Sequence, residues 1–355
     1  MEGAPEMRKS VGVTIAAVLA VGSVSGAAEV KVVPDEAQRR VDVTVDGKPF
    51  TAYTWPATLK KPVLYPVRSA RGTLVTRGWP LDPRPGERMD HPHHVGLWLN
   101  YGDVDGIYYW GNSDAMKAED RPHLGTIQHR RIVSSKSGKD RGELVVESDW
   151  IRPDGTAAIH EKTRYVFGAG PDWRSIDRIT TLTAADKPVV FNDTKEGMLG
   201  LRVARGLEHP STTPEIYTDA QGRATTVPVL NNDGVTGAYL SSEGKKGDDV
   251  WGTRGRWVSL SGTVDGELVT VLMLDHPKNP GFPTYWHARG YGLFAANPIG
   301  QKALTEGKQP PLTLTLEPGQ SVTFTYRVLI LDGVATPDRL EREHAAFAAD
   351  SSSRR

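Results

Sequence analysis

Arg40-Val41-Asp42-Val43-Thr44-Val45-Asp46-Gly47-Lys48-Pro49-Phe50-Thr51-Ala52-Tyr53 alternates apolar and polar side chains, breaks at an Asp-Gly pair and resumes. A period of two puts Val41, Val43 and Val45 on one face of a strand. Asp46-Gly47 supplies the positive φ that a tight hairpin turn demands. Similar short runs recur at 143–150, 162–167, 175–182, 189–192, 256–260, 268–274, 291–295, 312–316 and 321–331. Turn pairs sit between many of them: Asp154-Gly155, Asp233-Gly234, Asp265-Gly266 and Pro318-Gly319. Helical periodicity is convincing only over 337–349, where Leu340, His344 and Phe347 share a face. Many strands without a strand–helix–strand rhythm predict an all-β sandwich with a short C-terminal helix.

The chain is expected to form one β domain over 29–335, followed by the helix and a disordered tail at 336–355. The stretch 208–247, rich in Thr, Gly, Asn and Asp, reads as a long loop or small insertion. Residues 1–28 read as a cleaved signal peptide. Arg8 and Lys9 precede an uncharged apolar stretch at 11–24, and Ser25-Gly26-Ala27-Ala28 offers a small-residue cleavage site. An uncleaved anchor is the alternative, but the stretch falls short of the ~20 residues of a membrane span. The mature chain is therefore expected to be periplasmic or secreted, without stable membrane insertion.

With 43 basic and 43 acidic residues the chain has no net field to draw in nucleic acid. The absence of cysteine excludes disulfides, thiolate metal ligands, a cysteine nucleophile and a lipid-bearing N-terminal Cys.

The densest chemistry lies in 77–98. Asp90, His91, His93 and His94 are flanked by Trp79 and Trp98, and prolines stiffen the segment before Asp90. Rigid loops on a scaffold are where binding groups usually sit. Two more clusters pair with it: Asp193, Lys195 and Glu196 after a strand, and His276, Trp286, His287 and Arg289 further on. If the strand continues, Asp193 and Lys195 share one face and Glu196 takes the other. Each cluster also has a plain structural reading. Loop histidines fix loop shape, the acidic and basic side chains form a solvated ion-pair face, and tryptophans fill the core.

Flat indoles (Trp79, Trp98, Trp110, Trp286) beside carboxylate, imidazole and guanidinium groups suit a carbohydrate site. A metal held by His91, His93 or His94 with His287 and a carboxylate is an alternative, though no ligand spacing fixes its geometry.

Three strings carry a likeness: Arg88-Met89-Asp90-His91-Pro92-His93-His94-Val95-Gly96-Leu97-Trp98, Asn192-Asp193-Thr194-Lys195-Glu196-Gly197-Met198, and 285–298. They resemble the bacterial PmoA-like family of mostly exported proteins, over nearly the whole chain after the leader. That family's "methane oxygenase" label comes from a membrane-bound copper subunit, whose spanning helices this sequence lacks. Gly78-Trp79-Pro80 followed by His93-His94-Val95-Gly96, and a late strand ahead of Leu316-Glu317-Pro318-Gly319, are more distantly similar to aldose epimerases. Those enzymes have the galactose-mutarotase fold, a large antiparallel β supersandwich, and the resemblance implies that fold here. Their late strand carries a glutamate base; the matching positions in this chain read Phe294-Ala295-Ala296.

The combined reading is an exported carbohydrate-active protein that takes a small-molecule or oligosaccharide ligand. His94 and His287 are expected as general acids, and Glu196 or Asp193 as base, in an epimerase, lyase or hydrolase-type reaction. Arg77, Trp79, Asp90, His91, His93, Trp98, Lys195, Trp286 and Arg289 are expected to contact substrate. No metal ligand is assigned and the cofactor is left open. A non-catalytic carbohydrate-binding protein and a metal-dependent oxidoreductase using His91–His94 are the alternatives.

Overall fold

A computed structural model describes Met1, Gly3 and residues 27–350. The apolar leader stretch 11–24 and the tail 351–355 lie outside the described residues.

Among the described residues the chain is mostly β and forms two large antiparallel sheets. The first runs from Tyr285–Ala288 through Leu293–Asn297, Leu199–Arg202, Leu97–Leu99, Val63–Leu64, Lys48–Thr54, Arg40–Val45 and Glu29–Asp35 to Gly138–Lys139. The second runs from Ala238–Ser241 through Trp257–Val264, Glu267–Asp275, Ser321–Asp332, Trp173–Ala184, Ala157–Ala169 and Arg141–Ile151 to Thr126–Lys136. Val189–Phe191 and Leu314–Leu316 pair separately.

The opening hairpin forms as its alternation requires. Val41, Val43 and Val45 are buried, and Asp46 and Gly47 take φ of 49° and 77° at the turn. These valines join a core filled from both sheets, with Phe50, Leu144, Tyr165, Phe167, Leu199 and Val271 in the same cluster. Burying this much apolar surface is the main force holding the layers together.

The helix Pro337–Ala349 closes the outer face of the second sheet. Thr336 caps it by accepting from the Arg339 backbone N–H, and Pro337 occupies its first turn, where a missing N–H costs nothing. Leu340 and Phe347 pack on Trp257, Leu272, Leu274, Leu329 and Leu331.

The strand Val189–Phe191 stops before Asn192, and 192–198 is irregular. The alternation expected to divide Asp193 and Lys195 from Glu196 therefore does not operate.

Candidate functional site

In the first sheet, Leu97, Leu99, Leu199, Leu201, Trp286, Ala288, Phe294 and Ala296 face the main core. Alternation sends Trp98, Gly200, Arg202, His287, Leu293 and Ala295 to the opposite face. Register aligns four of these in one row across four strands: His287 opposite Ala295, Ala295 opposite Gly200, and Gly200 opposite Trp98. The two small residues between the imidazole and the indole leave room for the Trp98 ring to lie over Gly200, and all four positions are buried. Gly200 is required: a Cβ there would lie 2.5 Å from Trp98 Cζ2.

Next to Trp98 lies a cluster of near-parallel rings, with His94 and Tyr291 6.4 Å apart. Trp98 and His94 stack at 5.4 Å, His94 and His91 at 4.7 Å, and His91 and Tyr291 at 4.9 Å, with interplanar angles of 19°, 2° and 6°. His94 is buried, and its Nε2 accepts from the Trp110 indole N–H at 3.1 Å. Burial, with the nearby His93 and Arg202, holds its pKa well below the ordinary histidine value, so the ring is neutral.

The loop carrying these histidines is wired from inside. Arg77 donates to the backbone carbonyls of Arg88 (3.1 Å), Asp90 (2.8 Å), His91 (3.0 Å) and His94 (3.0 Å), and to the Asp90 carboxylate (2.8 Å). Arg202 meets the same carboxylate at 2.5 Å. Burial alone would raise the Asp90 pKa, but Arg202, the His91 ring and Arg77 hold it well below the carboxylate range. The Glu87 carboxylate accepts from the backbone N–H groups of Gly78 (2.7 Å), Trp79 (2.8 Å) and Arg84 (3.1 Å).

The polar groups left for a ligand lie at the His287 end. The His287 ring hydrogen-bonds to the Lys195 backbone, and its Nδ1 is buried without a partner. Burial, reinforced by Arg289 and Lys195, pushes its pKa down to about 3. Glu196 accepts from the Tyr108 hydroxyl, whose pKa is raised by burial and then by that carboxylate. Lys195 and Arg289 are exposed, and the Arg289 guanidinium lies over Trp251 (5.5 Å) and Tyr291 (5.9 Å).

Several expected roles change. Trp98, Trp110 and Trp286 are 0%, 1% and 0% exposed, so none presents a face to a sugar; the Trp286 indole donates to the Gly255 carbonyl at 3.0 Å. Arg77 and Asp90 hold the loop instead of substrate. Trp79 packs under the Arg77 guanidinium at 5.0 Å. Asp193 turns away: its carboxylate accepts the backbone N–H groups of Lys302 (2.8 Å), Ala303 (2.9 Å) and Leu312 (2.9 Å), which occupies it as a clamp and not as a base. Burial comes first in holding the pKa of His94 and His287 below the ordinary histidine value, which favours the neutral ring and leaves His287 Nδ1 an acceptor. His93 is half-buried at the mouth of a separate hollow, and its carbonyl accepts from Lys61. The structure does bring His91, Lys195, Glu196, His287 and Arg289 together. Among the described residues, no three His, Asp or Glu side chains are arranged to hold a metal ion.

Sequence reasoning missed Arg202, Tyr108, Tyr291 and Trp251. Arg202 and Tyr291 flank the cluster as isolated residues, with no local pattern to set them apart.

Residues 40–345 match the profile of DUF6807, a family of unknown function. No curated protein matches the chain in sequence. Among solved structures, a galactose 1-epimerase from Lactobacillus acidophilus NCFM is similar at 11% identity and TM-score 0.35, covering 86% of this chain and 98% of its own. A putative aldose 1-epimerase from Escherichia coli K12 gives 13% and 0.27, covering 85% and 99%. The protein Slr1438 from Synechocystis sp. PCC 6803 gives 10% and 0.31, covering 85% and 96%.

Proposed function

The chain belongs to the DUF6807 family, and we propose that it binds a sugar beside His287, Lys195 and Arg289 and moves a proton on it with Glu196 as base. The observation that carries this reading is the buried Nδ1 of His287, which has no partner and lies close to the exposed Lys195 and Arg289. Buried polar atoms are nearly always hydrogen-bonded, so an orphan acceptor beside exposed charged groups calls for a donor from a ligand. A neutral imidazole there accepts a hydroxyl hydrogen. Lys195 and Arg289 take up the negative charge that develops when Glu196 removes a proton, the arrangement that contributes most in acid–base sites. The partly exposed His91 ring beside Tyr291 gives the site a rim that a sugar can touch. The leader read over residues 1–28 puts this chemistry in the periplasm or the medium.

The test is a saccharide panel followed by thermal shift, with proton exchange into deuterated water read by NMR on any sugar that binds. A ligand of the folded state raises the melting point. Glu196→Gln should keep the shift and lose exchange by about a hundredfold or more. His287→Ala should weaken binding by about tenfold. Unchanged exchange in Glu196→Gln removes the base; binding with no exchange in the unaltered protein leaves a pure sugar binder. A panel with no shift at all removes the sugar.

A further inference from the structure

Lys60 and Lys61 are neighbours in sequence with opposite surroundings. Lys60 Nζ pairs with the Asp114 carboxylate at 2.5 Å, the ordinary fate of a surface lysine. Lys61 is 5% exposed. Its Nζ donates to the His93 backbone carbonyl at 2.7 Å and lies 5.2 Å from the centroid of the Trp98 ring. Among the described residues no carboxylate pairs with it.

One carbonyl and one ring face are poor compensation for taking an ammonium out of water. The amine responds by giving up its proton: burial pushes its pKa down to about 7. Neutral, it has a lone pair that none of these contacts uses, because both the carbonyl and the ring engage its hydrogen side. Two hollows are lined in part by Lys61. One of about 390 Å³ is lined by Leu81, Pro92, His93 and Asn112. The other, of about 580 Å³, is lined by Trp55, Thr126 and His129. A desolvated lysine beside a cavity is the arrangement that makes an amine nucleophilic.

We propose that Lys61 is a nucleophilic amine that forms an imine with a small aldehyde or ketone, such as the open-chain form of a reducing sugar. The Nζ lone pair attacks the carbonyl carbon and a carbon–nitrogen bond forms. One amine hydrogen passes to the carbonyl oxygen, giving a carbinolamine. The second leaves with that hydroxyl as water, and the carbon–nitrogen double bond remains. No oxidant or reductant enters. The proposal does not depend on Glu196 or His287.

The experiment exposes the folded full chain to glycolaldehyde and sodium cyanoborohydride at pH 7, which fixes any imine as a secondary amine. Peptide mass spectrometry follows each lysine, with the urea-unfolded chain as comparison. Lys61 should be alkylated at least about tenfold faster than Lys60 when folded, and at the same rate as Lys60 when unfolded. Labelling of Lys61 no faster than Lys60 in the folded chain, or none, overturns the proposal. Because the readout is on the unaltered protein, no folding defect can imitate either result.

Discussion

Asp90 and Arg202, 112 residues apart in the chain, meet at 2.5 Å, with the arginine fully buried on the strand Leu199–Arg202. This pair ties the histidine loop to the sheet, and Arg77 closes it from the other side. Breaking a buried pair from one end strands the remaining charge, a loss of about 3–5 kcal/mol. Asp90→Ala leaves two buried guanidinium groups facing each other and should lose at least that range in urea unfolding. An effect below about 1 kcal/mol would mean that Asp90 is satisfied by solvent and does not anchor the loop.

Asp193 gives the opposite expectation from its neighbour Glu196. Its three backbone donors, at Lys302, Ala303 and Leu312, would be left unpaired in Asp193→Ala, which should destabilise the fold by about 1–3 kcal/mol. Saccharide binding measured at a temperature where the variant is folded should be unchanged. A variant that is stable but no longer binds would return Asp193 to the site.

The sequence was readable wherever one side of an element meets water. Arg40–Val45 and Arg141–Ile151 alternate because one face is buried and the other is not, and Leu340, His344 and Phe347 mark the inward face of the last helix. Leu97–Leu99, Leu199–Arg202 and Tyr285–Ala288 are buried at every position, which erases the period and leaves nothing to detect. Those are the strands that carry Trp98, Gly200 and His287. The clusters at 90–94, 193–196 and 287–289 were visible as residue types, but their roles follow from burial and direction. Asp193 and Glu196 differ only in which way an irregular segment turns, and no composition records that.

Acid should weaken the fold through its histidines. Burial comes first in holding His93, His94 and His287 below the ordinary value of 6.5, His287 at about 3. In the unfolded chain each titrates near 6.5. Between those limits the unfolded state binds more protons, so stability is present above pH 6.5 and is lost as pH falls towards 3. Each histidine contributes up to about 1.4 kcal/mol per pH unit inside its window. Asp90, with its depressed pKa, adds to the loss only below about pH 4. Melting points from pH 7.5 to 4.5 should fall, and the slope should be shallower in His287→Gln. A flat profile would mean that these imidazoles are protonated in place.

Gly200 links stability and site in a single atom. Its missing side chain is what lets the Trp98 indole lie across the strand, where its N–H donates to Asn100 at 2.9 Å and its face supports His94. In Gly200→Ala the added Cβ would stand 2.5 Å from Cζ2 and 2.7 Å from Cε2 of that ring, closer than real carbon atoms approach. The indole must move off the strand, which disturbs the buried row it shares with Ala295 and His287. Overpacking of this kind costs about 1–3 kcal/mol. The disturbed row also carries His287, so the saccharide thermal shift should shrink while the variant still melts cooperatively. Retained binding at full affinity would show that the ligand sits elsewhere, and the row from His287 to Trp98 would then be only a well-packed outer face of the sheet.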